Sequence, residues 1–362
     1  MSRPPRAHGE RLDPDVFDLP VEKMREGYYT DAYFNHTRSA LLADGRHPRV
    51  LMQVFQRRIA MLGGMDEAIA ILELCSHDWA GLDVWALHDG DRIEPWETVM
   101  TIEGDYTHFA HLETVYLGVL ARRTLISTNT ERVLRAANGK PIIFMPARHD
   151  HHRVQTGDGY AAYVAGAKSG TEIGVTSDAQ ASWWGGRGVG TVPHSLIAAY
   201  DGDTVLAARR FAEWAPADLR ITVLVDFEND SVTTALAVAD ALGPALWGVR
   251  LDTSGQLVDR SLWEEMGDFD PRGVNERLVR KVRAALDDAG HPGVRIVVSG
   301  GFSVEKIEEF ERRGVPVDAY GVGSSLIRGE NDFTADIVAA DGRPISKVGR
   351  RFRPNPRLER VA

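Results

Sequence analysis

The chain has 362 residues, of which 43% are hydrophobic and 26% charged, and its formal net charge is −10. This length is sufficient for one large or two medium domains with a buried core. The negative charge argues against a general nucleic-acid-binding protein. Cys75 is the single cysteine, which excludes an intramolecular disulfide and a four-cysteine zinc site.

The N-terminal residues give no sign of a targeting segment. Residues 1–15 are polar and contain Pro and Arg, so we expect a flexible tail. An apolar region typical of a secretory signal is missing there, and the chain has no run of 18 apolar residues that would predict a membrane span. The use of one cysteine fits a reducing, cytoplasmic environment.

Residues 16–138 mix strand and helix patterns and predict an N-terminal α+β domain. Residues 50–58 alternate as in a strand, and Met65–Cys75 has the apolar spacing of a helix. Residues 93–103 indicate strands around a proline turn. A long helical pattern over 110–138 ends before a glycine.

Residues 139–334 have a different rhythm, in which short β-branched runs alternate with helical stretches such as 231–241, 273–289 and 304–313. This alternation is typical of a parallel sheet. Seven runs predict a small, distorted α/β barrel that need not be complete. They lie at residues 141–145, 172–176, 189–192, 221–227, 247–251, 295–299 and 319–322.

The C-terminal segment is basic, although the whole chain is acidic. It is either a solvated tail or a segment that returns to the N-terminal domain. In the second case, which we expect, residues 335–362 complete that domain and lend charge to a phosphate site. Its basic residues are Lys347, Arg350, Arg351, Arg353, Arg357 and Arg360.

Glycine turns follow the last two strand runs. The sequence Ser-Gly-Gly-Phe occupies 299–302, and Gly-Val-Gly-Ser-Ser occupies 321–325. Backbone N–H groups in such turns form anion sites, and in barrels a phosphate site commonly follows the late strands. We therefore predict that a sugar phosphate binds at Gly300, Gly301, Gly323 and Ser324.

Charged residues end the other runs. Asp226 follows one apolar run, and Arg250 and Asp252 lie two residues apart on one face of the next. This pair either forms only an internal ion pair or binds a carboxylate through the arginine and a sugar hydroxyl or Mg²⁺ through the aspartate. His194, directly after a strand run, is a catalytic candidate. The cluster His149–Arg153 is a poor metal site, because alternate strand residues point apart.

These pieces together resemble the nicotinate phosphoribosyltransferase family, which shares its fold with quinolinate and nicotinamide phosphoribosyltransferases. They occur in family order over nearly the whole chain. The matching segments are Tyr-Thr-Asp-Ala-Tyr at 29–33, Gly-Thr-Val-Pro-His-Ser at 190–195, Val-Asp at 225–226, Val-Arg-Leu-Asp-Thr-Ser-Gly at 249–255, the two glycine turns, and Lys-Val-Gly-Arg with Asn-Pro-Arg-Leu-Glu within 347–359.

The resemblance implies synthesis of nicotinate mononucleotide from nicotinate and phosphoribosyl diphosphate, as part of NAD biosynthesis. It implies a homodimer with shared active sites, in which Asp31 and Tyr33 complete the partner's pyridine pocket. Arg58 and Lys347 would bind the diphosphate. His194 matches the histidine that ATP phosphorylates in nicotinate and nicotinamide members.

The same resemblance assigns the remaining site residues. Arg250 would bind the pyridine carboxylate or ring. Asp226 and Asp252 would hold the ribose or the magnesium diphosphate. The glycine turns would bind the 5′-phosphate.

The chain departs from the family pattern on the acceptor side. His149 and His152 align where the family has a stacking Phe and an Arg three residues later, and Arg153 can substitute for that arginine. Ser177 aligns with a position that is acidic in amide-using members, and a neutral Ser suits an acid substrate. The extra positive charge at 149–153 leaves a dicarboxylate such as quinolinate, or a non-pyridine acceptor, as an alternative.

Two further alternatives come from other classes. A catalytically silent sensor of phosphoribosyl ligands would not need the full set of His194, Asp226, Arg250 and Asp252. A Schiff-base aldolase would need a lysine at a strand end, and none closely follows a strand run. The sequence therefore favours the phosphoribosyltransferase.

Overall fold

The computed structural model describes residues 10–267 and 269–361. Within them the chain divides into two compact units. The first contains residues 10–129, Tyr160–Lys168 and 329–361, and the second contains Thr130–Gly159 and Ser169–Arg328 apart from residue 268. Residues 1–9 of the predicted flexible tail lie outside the described residues.

The strands and α-helices are numbered in chain order. The strands are β1 (Arg49–Phe55), β2 (Ala60–Met61), β3 (Asp83–Ala86), β4 (Arg92–Ile93), β5 (Thr98–Asp105), β6 (Ile142–Phe144), β7 (Ile173–Val175), β8 (Ile221–Leu224), β9 (Leu246–Leu251), β10 (Arg295–Val298), β11 (Ala319–Val322), β12 (Thr334–Ala340), β13 (Arg343–Pro344) and β14 (Glu359–Arg360). The helices are α1 (Val21–Arg25), α2 (Ala32–Ala43), α3 (Met65–Cys75), α4 (Glu113–Ala136), α5 (Gln155–Ser169), α6 (Asp178–Ala181), α7 (His194–Ala199), α8 (Thr204–Trp214), α9 (Ser231–Leu242), α10 (Glu276–Asp288) and α11 (Val304–Arg312).

The first unit is built on an antiparallel sheet in the order β13-β12-β1-β5-β3-β14. Strand β1 lies between β12 and β5, with Val54 opposite both Ala335 and Met100. The C-terminal strands β12 and β13 extend one edge, and β14 pairs with β3 at the other. The prediction that the C-terminal segment completes an N-terminal α+β domain is therefore confirmed.

The core of the first unit packs this sheet against α3. Helix α3 is apolar on most of its surface, and Met65, Ile71 and Leu72 are fully buried with Met52 of β1. The chain just before this domain also packs here, because Leu12 is buried and Arg11 Nη1 lies 3.0 Å from Asp66 Oδ1. Residues 11 and 12 of the predicted flexible tail are thus held by specific contacts.

The second unit is built on a curled parallel sheet in the order β7-β6-β11-β10-β9-β8. Six of the seven predicted strand runs form it. The seventh, 189–192, is not a regular strand: Val192 makes only an isolated bridge to Val223, while the Val189 N–H donates to the Val175 carbonyl at 2.6 Å. Gly190 and Pro193 explain the irregularity, since glycine weakens a strand and proline lacks a donor.

Helices pack against the outside of this sheet. Helix α10 buries Leu278, Val279, Val282 and Leu286 at helical spacing. It begins three residues later than the predicted stretch because the Asn275 side chain accepts from the Leu278 N–H and caps it. The distorted parallel barrel architecture expected from the sequence is confirmed, with its irregular part at 189–192.

Candidate active site

The loops at the carboxyl ends of the parallel strands in the second unit line one cavity of about 320 Å³. This is the edge at which barrel enzymes carry their active sites. Seven of the residues predicted from sequence line it, and these are His149, Arg250, Asp252, Gly300, Gly301, Gly323 and Ser324. Arg148, Thr176 and Ser299 also line it, although they were not predicted as site residues.

A rigid polar network surrounds Arg250. Its Nη2 lies 3.0 Å from Asp252 Oδ2, its Nε donates to Ser299 Oγ at 2.9 Å, and its Nη1 donates to Thr191 Oγ1 at 3.2 Å. Ser299 in turn donates to Asp252 Oδ1 at 2.8 Å. A guanidinium has five N–H donors, so two remain after these three contacts. The group is held in place yet can still bind a planar carboxylate.

The glycine turn after β10 is shaped for an anion. Gly300 and Gly301 have φ values of +84° and +78°, a region that side chains other than glycine rarely adopt. A Cβ on Gly300 would lie 3.3 Å from Asp252 Oδ1. In the described part of the chain, no carbonyl or side chain accepts from the amides of Gly300, Gly301 or Gly323. These donors are therefore available to phosphate oxygens.

His194 and Asp226 form a second pair in this unit. His194 Nε2 lies 2.9 Å from Asp226 Oδ1, and the exposed fractions of the two side chains are 44% and 7%. The hydrogen bond to Asp226 raises the pKa of His194, while burial opposes this effect. The charges of Asp252 and Arg250 also act on the imidazole, in opposite directions. Because Nε2 is engaged, Nδ1 is the nitrogen that can react.

The predicted acceptor residues separate in the structure. His149 lines the cavity, whereas His152 and Arg153 lie in the exposed 3-10 turn His152–Val154 and do not line it. Ser177 caps α6: its Oγ accepts from the Gln180 N–H and also donates to the Gln155 side chain. Thr176, the neighbouring residue, lines the cavity instead.

The remaining predicted site residues belong to the first unit. Asp31 lies directly before α2 and accepts from Thr114 Oγ1 at 2.9 Å, and Tyr33 has 60% of its surface exposed. Arg58 donates to the Glu330 carbonyl. Lys347 is exposed. All four residues are thus exposed on the first unit.

The carboxylates fit a metal carried on a substrate better than a resident ion. Among residues 10–267 and 269–361, no group of three or more His, Cys, Asp or Glu side chains could hold a metal. Asp226 and Asp252 each already accept hydrogen bonds. Mg²⁺ is commonly bound by one or two carboxylates together with substrate phosphates, and the two carboxylates Asp226 and Asp252 fit that arrangement.

Similarity to known proteins identifies the family. Nicotinate phosphoribosyltransferase pncB1 of Mycobacterium tuberculosis is 30% identical to this chain, and the match covers 96% of this chain and 79% of the relative. The chain belongs to the nicotinate phosphoribosyltransferase family. The predicted family and its enzyme class, a phosphoribosyltransferase, are therefore confirmed.

Other matches agree with this family and its fold group. The family model described as quinolinate phosphoribosyl transferase, N-terminal domain, matches residues 31–124. The structure of nicotinate-nucleotide pyrophosphorylase from Pyrococcus furiosus is 32% identical, with a TM-score of 0.78 over 95% of this chain and 85% of that one. Human nicotinic acid phosphoribosyltransferase, at 19% identity and a TM-score of 0.66 over 89% of this chain and 77% of its own, shares the fold.

The described helices were also compared with the length and hydropathy of membrane spans. None of those in residues 10–267 and 269–361 is both long enough and apolar enough to cross a bilayer.

Proposed function

We propose that this phosphoribosyltransferase converts nicotinate and phosphoribosyl diphosphate to nicotinate mononucleotide and diphosphate, as a step of NAD biosynthesis. The observation that carries the proposal is the content of the cavity in the second unit. Free glycine amides and a fixed guanidinium with two spare donors line the same 320 Å³ space. The product has a phosphate at one end and a carboxylate at the other, which matches these two groups.

The reaction needs positioning more than covalent chemistry from the protein. The bond from the anomeric carbon to the diphosphate oxygen breaks, and a bond from that carbon to the pyridine nitrogen forms. Positive charge develops on the ribose in the transition state. Asp252, held by Arg250 and Ser299, supplies a fixed negative charge and an acceptor for ribose hydroxyls.

The diphosphate leaving group needs cations that the cavity does not supply alone. Arg58 and Lys347 are exposed on the first unit, and we propose that in a homodimer they bind the diphosphate of the partner's site, while Asp31 and Tyr33 complete its acceptor pocket. When bound with the diphosphate, Mg²⁺ would neutralise the leaving charge, and Asp226 and Asp252 are the residues that would hold it.

We also propose that ATP hydrolysis is coupled to synthesis through His194. Its Nδ1 would attack the γ-phosphorus of ATP, the bond to the β-phosphate oxygen would break, and ADP would leave. Water would later release inorganic phosphate from the imidazole. The 2.9 Å contact with Asp226 supports this role, because the carboxylate orients the ring and stabilises its cationic form.

Quinolinate is the second candidate acceptor. Arg148 and His149 line the cavity in addition to Arg250, so the cavity contains further side chains that can carry positive charge. A dicarboxylate would use this extra charge. The family model that matches residues 31–124 is described by the quinolinate enzyme, which also favours this alternative.

One experiment separates the acceptors. The full-length protein is incubated with phosphoribosyl diphosphate, Mg²⁺ and either acid, with and without ATP, and mononucleotide and diphosphate are quantified. We expect product from nicotinate, formed faster with ATP. Product from quinolinate alone, with release of carbon dioxide and no effect of ATP, would establish the second candidate. No product from either acid would exclude both.

A further inference from the structure

The second unit contains a buried carboxylate that no role described so far uses. Asp259 lies in the connection between β9 and α10, and its exposed fraction is 0%. It is not among the residues that line the cavity of this unit. Aspartate is almost never fully buried unless it is paired or hydrogen-bonded. The partners of Asp259 therefore indicate what this residue holds in place.

Four donors surround the Asp259 carboxylate. Oδ2 accepts from the N–H of Ser231 at 2.9 Å and from its hydroxyl at 2.7 Å. Oδ1 accepts from the N–H of Ser261 at 3.0 Å and from its hydroxyl at 2.7 Å. Ser261 is a neighbour in sequence, whereas Ser231 begins α9. The carboxylate thus joins the segment after β9 to the start of α9 through charge-assisted hydrogen bonds.

The backbone on both sides of Asp259 contacts the loop before α9 as well. The Asn229 side chain donates to the Val258 carbonyl at 2.7 Å, and the Arg260 N–H donates to the Asn229 carbonyl at 2.9 Å. We call residues 258–260 together with Asn229 and Ser231 the loop clamp. Asn229 has φ +57°, a left-handed conformation in which asparagine is enriched. Side-chain and backbone bonds therefore hold the two loops together.

The loop held by the clamp carries the partner of His194. The Asn229 N–H donates to the Asp226 carbonyl at 3.0 Å and closes a turn over residues 226–229. The Asp226 side chain contacts His194 Nε2 at 2.9 Å. Strand β8 ends just before this turn and fixes its start, and the loop clamp fixes its end. The contact with His194 therefore depends on both supports.

A purely local role is the alternative explanation for Asp259. It precedes the 3-10 helix Arg260–Glu265, and its bond to the Ser261 N–H caps that helix. Such a cap accounts for Oδ1 but not for Oδ2, whose two bonds reach Ser231 in another element. Helix α9 already has its own N-cap in Asp230. The bonds of Oδ2 are therefore not needed as a cap, and their effect is to join the two loops.

We propose that Asp259 is a positioning residue that sets Asp226 against His194 without touching substrate itself. The proposal rests on the role in ATP coupling proposed above for His194. A displacement of about 1 Å in a positioned group can cost on the order of 100-fold in rate. A carboxylate that must orient an imidazole therefore needs rigid support from surrounding residues. Asp259 supplies this support through the loop clamp.

The test compares Asp259→Asn and Asn229→Gly with the wild type in the full-length protein. Asparagine keeps the shape of the side chain but places an NH2 group where a carboxylate oxygen accepts two bonds. Glycine adopts φ +57° without strain and loses only the side-chain bond to Val258, so this variant should fold. In both variants we expect the ratio of synthesis rates with and without ATP to fall about threefold or more. Hydrogen exchange of the amides at 226–231 should become faster.

Asp318→Asn is the matched control. The Asp318 carboxylate also accepts from a backbone N–H, that of Ile296, at 2.8 Å, and it contacts Arg295 Nη1 at 2.8 Å. These contacts lie at the amino ends of β10 and β11, opposite the edge that carries the cavity. The control should lower the free energy of unfolding, as Asp259→Asn does. It should leave the ATP ratio and the exchange at 226–231 as in the wild type, which separates positioning from loss of stability.

Three results would overturn the proposal. One is an ATP ratio equal to that of the wild type in both clamp variants, whether or not exchange at 226–231 changes. The second is an equal fall of the ratio in Asp318→Asn. A wild type that ATP does not stimulate would contradict the role of His194 itself, and a crystal structure of Asp259→Asn then decides. Separation of His194 Nε2 and Asp226 Oδ1 beyond hydrogen-bond distance would support the clamp, and an unchanged contact is the third result against it.

Discussion

His194 Nε2 lies 2.9 Å from the Asp226 carboxylate, which is itself 7% exposed. The buried acid engages Nε2, so Nδ1 is the nitrogen that would react in the ATP-coupled step proposed above. The second unit also contains a close geometric match, since His291 Nε2 lies 2.8 Å from Asp240 Oδ1 at a position away from the strand ends, but the Asp240 side chain is 73% exposed. A buried acid and a place at a strand end therefore distinguish His194 from His291.

His194→Ala should abolish the stimulation of mononucleotide synthesis by ATP and retain slower, ATP-independent synthesis. The reason is that the phosphoryl acceptor is lost while the glycine turns and Arg250 are kept. Initial rates with and without ATP measure the effect. His291→Ala is the control and should keep full ATP stimulation. Full coupling in His194→Ala would show that the phosphohistidine role is wrong.

Asp226→Asn should move the acidic limb of the ATP-dependent rate to lower pH. The hydrogen bond to Asp226 raises the pKa of His194, so the wild-type imidazole becomes neutral and nucleophilic only as pH rises through that raised value. Removing the carboxylate charge lowers the pKa, and the neutral form then appears at lower pH, although the maximal rate falls. A limb that moves to higher pH would contradict this electrostatic account.

Arg250→Ala should raise the KM for the acceptor acid by about tenfold or more, since hydrogen bonds to charged groups contribute roughly 1.5–3 kcal/mol. Arg250→Lys should recover only part of the loss, because a lysine cannot form the planar fork. Arg220, the residue before β8, stacks on the ring of Trp247 in β9. Arg220→Ala is therefore the control and should leave the acceptor KM unchanged. An unchanged acceptor KM in Arg250→Ala would move the acceptor pocket elsewhere.

Gly300→Ala should raise the KM for phosphoribosyl diphosphate and lower the free energy of unfolding by about 1–2 kcal/mol, the cost of a left-handed alanine. Its new Cβ would also lie 3.3 Å from Asp252 Oδ1. Gly290 has φ +83° with open space around it, so Gly290→Ala should cost similar stability and leave KM unchanged. Equal KM values in the two variants would exclude a phosphate role for this turn.

Much of the fold could be predicted from the sequence because its signals are local. The β-branched runs and the apolar spacing of Met65–Cys75 match β6 to β11 and α3 closely. The irregular segment 189–192 could not be distinguished from a strand, since its only bridge is to Val223 in β8, far along the chain. The packing of Leu12 against the first unit likewise depends on distant residues.

The site was predictable where strand ends bring residues together. Arg250 and Asp252 on one strand face, and the glycine turns, are found in one cavity. The hydrogen bond between Arg250 and Thr191 could not be predicted, because nothing in the sequence around Thr191 indicates this contact. The role of Ser177 could have been predicted from the sequence, because a Ser followed three residues later by a Gln, here Gln180, is the pattern of a helix capping box.

The most direct test of the central claim is an experimental structure of the protein with nicotinate mononucleotide. We predict that the 5′-phosphate contacts the amides of Gly300, Gly301 and Gly323, and that the pyridine carboxylate contacts Arg250. A mononucleotide bound in the reverse orientation, or bound outside the 320 Å³ cavity, would contradict the account.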